Sequence, residues 1–153
     1  MIRFVPFLCG LLVIGITNVA SAQSRPDTDP YVSRQSLSDG ITLATHHNGL
    51  TIIVQENHSA PVATVRCYVK NTGSVYEGKY LGAGLSHVLE HVVSGGTTNK
   101  RTEKASEELL DTLGGVSNAF TSLGLTAYFV DCPASRVNTA IDLVADWMQH
   151  CSF

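Results

Sequence analysis

The sequence is short of the features that mark several protein classes. Only four cysteines occur, Cys9, Cys67, Cys132 and Cys151, and no two stand as C-x-x-C, so neither a zinc ribbon nor a disulfide-stapled scaffold is encoded. Charged residues make up only 15% of the chain and the formal net charge is −3, which gives no reason to expect nucleic acid or an anionic membrane surface as partner. No apolar run reaches the roughly 20 residues that span a bilayer. The longest, Phe4 to Ile16, covers 13. Repeats and low-complexity tracts are absent, and a hydrophobic content of 44% is that of a globular chain. At 153 residues there is room for one domain with a real core, and too little for two ordinary ones.

What is present begins with an export signal. Arg3 gives a short basic start, the apolar run follows, and Ala20-Ser21-Ala22 places small residues where a signal peptidase cuts. Residues 1–22 are therefore expected to be removed after Ala22, with export to the periplasm or outside the cell and no stable membrane span afterwards. Residues 23–40, rich in Ser, Asp and Pro and without periodicity, read as a polar leader that contributes no core. Three cysteines stay with the mature chain, and Cys67 and Cys132 read as small buried hydrophobes on strands.

From Ile41 to Phe153 the pattern is that of a folded domain. Ile41–Thr45 and Leu50–Val54 are β-rich runs about Asn48-Gly49, a hairpin signal. After Pro61, Ala63, Val65, Cys67 and Val69 alternate with polar neighbours and predict a third strand. Gly82-Ala83-Gly84 leads into a helix over 85–93 that stops at Gly95-Gly96, with Leu85, Val88, Leu89 and Val92 as its dry side. A second helix over 102–113 carries Ala105, Leu109 and Leu113 on one stripe and closes at Gly114-Gly115. Strands over 116–121 and 125–132 follow, then Pro133 and a helix over 135–149 that buries Val137, Ala140, Ile141, Val144 and Met148, with Trp147 in the core. Hairpins followed by helices predict an α+β domain, its helices packed on one face of a mainly antiparallel sheet.

The chemistry sits in His87-Val88-Leu89-Glu90-His91. Positions 87, 90 and 91 are i, i+3 and i+4, so two imidazoles and a carboxylate leave one helical face together. Neutral imidazoles suit Zn²⁺, and a carboxylate beside them can take a proton from a water activated by the metal. The spacing is that of the inverted zinc-protease signature H-x-x-E-H. In a chain of this composition it arises by chance roughly once in a hundred, so its flanks must decide. Glu103, Glu107 and Glu108 read as acidic residues complementing a helix dipole, Asp142 and Asp146 as a solvated face, and His150 as an exposed terminal residue. His46, His47 and His58 have no metal-site spacing.

The flanks resemble the M16 metallopeptidases, which include pitrilysin, insulin-degrading enzyme and the mitochondrial processing peptidase. Gly73-Ser74 with Glu77 precedes Gly84-Leu85-Ser86-His87-Val88-Leu89-Glu90-His91, and Ser94-Gly95-Gly96-Thr97 follows. Gly114-Gly115-Val116-Ser117-Asn118-Ala119-Phe120-Thr121-Ser122, then Thr126-Ala127-Tyr128, is similar to the family's second signature. The resemblance implies one zinc ion held by His87 and His91, Glu90 as general base for attack on a peptide carbonyl, and Asn118 and Ala119 on a strand that pairs with the backbone of an extended peptide. It also implies a third ligand, a glutamate roughly seventy to eighty residues past the second histidine. Phe153 lies 62 residues past His91, so no third ligand is expected within this chain, nor is the further domain of related fold that the resemblance implies. Two expectations follow. One is the amino-terminal part of a zinc metalloendopeptidase that needs the missing ligand and domain; the alternative is a non-catalytic domain that binds peptide or assembles with a related subunit.

Overall fold

The computed structural model describes residues 29–153. The expected signal, residues 1–22, and the first part of the leader lie outside the described residues. The remainder divides into two compact units, one ending at Glu56 and one running from Asn57 to Phe153, and the segment expected as one domain from residue 41 is shared between them. Among the described residues no helix is long and apolar enough to cross a membrane.

The first unit is an antiparallel meander of β1 (Tyr31–Ser36), β2 (Ile41–His46) and β3 (Thr51–Gln55). β1 lies inside the segment expected to be a polar leader, which is a correction. Its side chains are exposed apart from half-buried Tyr31, so no inward alternation marked it. Main-chain pairing and the Asp39-Gly40 turn make it a strand: both residues have positive φ (57° and 69°), and the Ile41 N–H donates to the Ser38 carbonyl. That is the mirror-image turn whose twist matches a hairpin. At the other connection only Gly49 has positive φ (88°), and Asn48 Oδ1 closes the loop by accepting from the Leu50 N–H at 3.0 Å.

The second unit holds β4 (Val62–Lys70), α1 (Leu85–Val93), α2 (Glu103–Leu113), β5 (Val116–Thr121), β6 (Leu125–Pro133) and α3 (Val137–His150). The three strands form an antiparallel sheet in the order β4-β6-β5. Central β6 contributes Tyr128, Val130 and Cys132 to a core completed by Val93 of α1 and by Ala140, Leu143, Val144 and Trp147 of α3. Ala63, Val65, Cys67 and Val69 pack against that core from β4, as their alternation predicts. The unit is α+β, with helices on one face of an antiparallel sheet. The buried stripe of α3 is turned from the expected one: Leu143 and Trp147 are inside, Val137 is half-buried and Ile141 is exposed. Cys67, Cys132 and Cys151 are all free thiols, and burial pushes each of them up in pKa.

Asp146 is the larger correction, because it is 1% exposed where a solvated face was expected. Its Oδ2 accepts from Thr98 Oγ1 and from Arg101 Nη1, both at 2.8 Å. His150 Nδ1 stands 3.0 Å from Oδ1, at an angle that aligns no hydrogen bond, and Lys100 Nζ is 3.9 Å away. The Asn99 N–H donates to the His150 carbonyl and the Ser152 N–H to the Thr97 carbonyl, so the loop after α1 is tied along the end of α3.

The entry to α1 is built by residues upstream of it. Gly84, at φ 78°, has no side chain with which to cap the helix. Glu77 caps it instead, Oε2 accepting from the Gly84 N–H (3.1 Å) and Oε1 from the Ser86 N–H (3.0 Å). Gly73, at φ 100°, donates its N–H to Ser86 Oγ at 3.1 Å, and a Cβ there would collide with the Ser122 carbonyl oxygen. The hairpin loop of β5 and β6 is thereby pinned beside the first turn of the helix.

Two outcomes follow from these contacts. The Ser86 N–H first, with further backbone donors, holds the Glu77 carboxyl below its ordinary value of 4.5. Its cap is thus fully present above that pH and is lost as pH falls through the lowered folded-state value. The difference in urea midpoint between the wild type and Glu77→Gln should therefore be full at neutral pH and vanish in acid; a difference independent of pH would refute the cap. Removing one partner of the buried pair, in Asp146→Ala, should cost about 3 kcal/mol, read from urea unfolding by the fluorescence of Trp147, the single tryptophan, which is fully buried. A loss under about 1 kcal/mol would mean that water satisfies Arg101 and Thr98 equally well.

Candidate metal centre

α1 turns Ser86, Glu90 and Val93 inward, a spacing of i, i+4 and i+7, and leaves its apolar row outside. Leu85, Val88, Leu89 and Val92, expected to form the dry side, are between 39 and 60% exposed. The reason is the set of polar partners waiting on the sheet side: Gly73 for Ser86, and Thr121 for Glu90. Glu90 is 5% exposed, and its Oε2 accepts from Thr121 Oγ1 at 2.9 Å.

His87 and His91 flank that buried carboxylate on the exposed side of the helix. Their Nε2 atoms approach to 3.2 Å, with ring centroids 4.8 Å apart. Two imidazoles bound to one tetrahedral zinc at 2.0–2.1 Å place their nitrogens about 3.3 Å apart, so the pair fits the bite of a single ion. Glu90 Oε2 lies 3.9 Å from His87 Nε2, close enough to serve a group held between the imidazoles yet supported from below by the sheet. Tyr128 borders the same region; burial first, and then the charge of Glu90, push its phenol up to about 12, so it stays a neutral hydroxyl.

Among the described residues no cluster of three or more His, Cys, Asp or Glu is placed to hold a metal ion. Glu108 of α2 meets Lys104 at 3.8 Å, Asp146 is committed to Thr98 and Arg101, and His150 sits beside Asp146 instead of standing exposed. His46 and His47 belong to the first unit, where they contact Asn48 and the Asp29 carbonyl.

Asn118 and Ala119 lie on β5, in register with Phe129 and Tyr128 of β6. β5 is at one side of the sheet and pairs only with β6 among the described residues. Asn118 Oδ1 accepts from the Ala119 N–H at 2.8 Å, so this edge donor is already occupied by its neighbour's side chain. The expected pairing of Asn118 and Ala119 with a peptide thus begins from a self-closed edge. Thr121, three residues on, was not singled out as a site residue; its signal was only its place at the end of the strand facing α1.

Residues 51–153 match the family described as Insulinase (Peptidase family M16). The chain is 38% identical over 111 residues to a probable mitochondrial-processing peptidase subunit beta of Arabidopsis thaliana, covering 72% of this chain and 20% of that one. It is 33% identical over 109 residues to an uncharacterized zinc protease, YmxG, of Bacillus subtilis, covering 71% of this chain and 26% of the relative. The chain thus spans only about a fifth to a quarter of the length of these relatives. The crystal structure of a protease from Helicobacter pylori shares the fold, with a TM-score of 0.56 and 24% identity, over 79% of this chain and 26% of that one. On the extent of the family match and the identity to these relatives, the chain belongs to the insulinase family of peptidases, M16.

Proposed function

We propose that this chain carries the zinc-binding helix and general base of a metalloendopeptidase acting on extended peptides. One observation supports the reading above the rest: His87 and His91 bring their Nε2 atoms to 3.2 Å beside a buried, hydrogen-bonded Glu90. When bound, zinc supplies Lewis-acid activation of a water and of the peptide carbonyl. His87 and His91 hold it through Nε2. Glu90 accepts the proton of the attacking water on its carboxylate and returns it to the leaving amine nitrogen, as a base fixed within reach of the reacting water can. Asn118 and Ala119 bind the substrate backbone along β5, which exchanges the Asn118–Ala119 contact for strand addition. A catalytic zinc takes three protein ligands, and in this reading the third comes from outside the described residues. That ligand, and a further domain or related subunit, complete the site; the name of the Arabidopsis relative, a subunit, agrees with assembly of that kind.

A second reading is a domain that binds peptide or a related subunit without cleaving anything. The exposed row of Leu85, Val88, Leu89 and Val92 favours it, because apolar residues gathered on one helix face are a surface suited to a protein partner.

Zinc titration and hydrolysis separate the two. The 153-residue chain should bind one zinc per molecule, His87→Ala or His91→Ala should weaken binding at least tenfold, and Glu90→Gln should leave it within about twofold. Alone, the chain should turn over a quenched fluorescent peptide little or not at all. A polypeptide or assembly that adds the third carboxylate should hydrolyse it, with about a 10²–10⁴-fold loss of kcat in Glu90→Gln. Full activity in Glu90→Gln would sink the assignment of the base, and a completed assembly that binds zinc and peptide without hydrolysis would establish the second reading. Export belongs to the same proposal: amino-terminal sequencing of the mature protein should begin at Gln23, and retention of Met1 would overturn it.

A further inference from the structure

We infer that Thr121 is a positioning residue for Glu90, fixing through its hydroxyl the carboxylate oxygen that faces the imidazole pair. The inference rests on the reading of Glu90 as base and adds a residue to it. Thr121 Oγ1 donates to Glu90 Oε2 at 2.9 Å, and this is the carboxylate's hydrogen bond among the described residues. The same Oε2 is the atom 3.9 Å from His87 Nε2. The hydroxyl and the imidazole therefore bracket a single oxygen, one from the sheet side and one from the metal side.

The direction of the bond follows from proton counting. Thr121 Oγ1 is the donor and Glu90 Oε2 the acceptor, so the one hydroxyl proton of Thr121 points at Glu90. The oxygen of Thr121 then has lone pairs free, and Thr126 Oγ1 lies 3.4 Å away. Thr126 is itself buried and stands 3.2 Å from Thr72 Oγ1, and Thr72 donates to the Val69 carbonyl at 2.7 Å. Thr72 turns its one proton to the Val69 carbonyl or to Thr126, and with the Thr121 proton on Glu90 the Thr126 hydroxyl is left as the donor to Thr121. A row of three hydroxyls thus runs from the segment just after β4 across β6 to β5 and finishes on the carboxylate. Thr121 and Thr126 are also Cα partners in the β5–β6 register, so the two hydroxyls nearest the carboxylate stand on paired strands. A group held by regular structure is set more tightly than one on a flexible segment.

A second role for Thr121 is available, because its hydroxyl also lies 3.4 Å from the Ser86 carbonyl and could merely hold α1 to the sheet. That contact is the longer by half an ångström, and a purely structural hydroxyl would leave the environment of the Glu90 carboxyl unchanged. The two roles are told apart by observing that carboxyl directly. In the metal-free 153-residue chain labelled with ¹³C at glutamate side-chain carboxyls, the Glu90 resonance is identified by its loss in Glu90→Gln. Thr121→Val should shift that resonance and Thr121→Ser should leave it at the wild-type position. If the Val variant does not fold, Thr121→Ala against Thr121→Ser makes the same comparison. A Glu90 signal indifferent to loss of the hydroxyl overturns the inference.

A second arm reads function in the completed, zinc-loaded peptidase. Thr121→Val should lower kcat by about ten- to a hundredfold, with KM and zinc content within about twofold of wild type, while Thr121→Ser restores kcat. Added to Glu90→Gln, Thr121→Val should cost nothing more, since Thr121 acts only through Glu90. An additive further loss would overturn the inference. Unimpaired turnover by Glu90→Gln would instead refute the base, and the carboxyl resonance would still decide whether Thr121 holds it.

Discussion

A buried carboxylate met by a strand hydroxyl is the contact on which this structure turns. Glu90 points into the sheet side of α1, where a charge would be costly without a donor, and Thr121 supplies one. That requirement sets the rotation of the helix. With Glu90 inward, Ser86 must face Gly73, Val93 enters the core, and the two histidines come to rest side by side on the open flank. Leu85, Val88, Leu89 and Val92 then have nowhere to go but out. An amphipathic helix normally docks by its apolar stripe; α1 docks by its polar one and is held there by Glu77 at its entry.

The same logic operates on the far side of the helix. The loop that follows α1 contains no regular element, yet Thr98 and Arg101 bind one buried oxygen of Asp146, and backbone donors from Asn99 and Ser152 bracket the end of α3. Thr98 Oγ1 also accepts from the N–H groups of Lys100 and Arg101, so the loop is closed on itself as well as on α3. A short helix of nine residues is marginal on propensity alone. Anchored at its first turn by Glu77 and beyond its last by Asp146, it holds two imidazoles 3.2 Å apart.

Elements that obey one periodicity were legible in the sequence. β4 reads as alternating residues and packs so; the bounds of α1, and of α2 behind its Thr102 cap, follow from their caps and glycines; the pentapeptide gives His87, Glu90 and His91. Departures came wherever a polar contact outweighed hydrophobic pattern. β1 has no inward row to announce it and is specified by main-chain pairing and the Asp39-Gly40 turn. Asp146 reads as a wet residue because its partners, Thr98 and Arg101, are more than forty positions away in the chain. Thr121 was invisible for the same reason: nothing in a strand sequence tells which hydroxyl will meet a carboxylate from a helix thirty-one residues earlier.

The Asn118 side chain, folded onto the Ala119 N–H, has a consequence for the chain as a solute. An outer strand with free amides invites other strands of any origin, including β5 of a second copy, and sheets joined edge to edge are the route into insoluble aggregate. Here an arriving strand must first displace an amide oxygen that sits 2.8 Å from its target. At this position the outer strand answers its own exposed donor with a side chain one residue away, a local brake on edge-to-edge pairing.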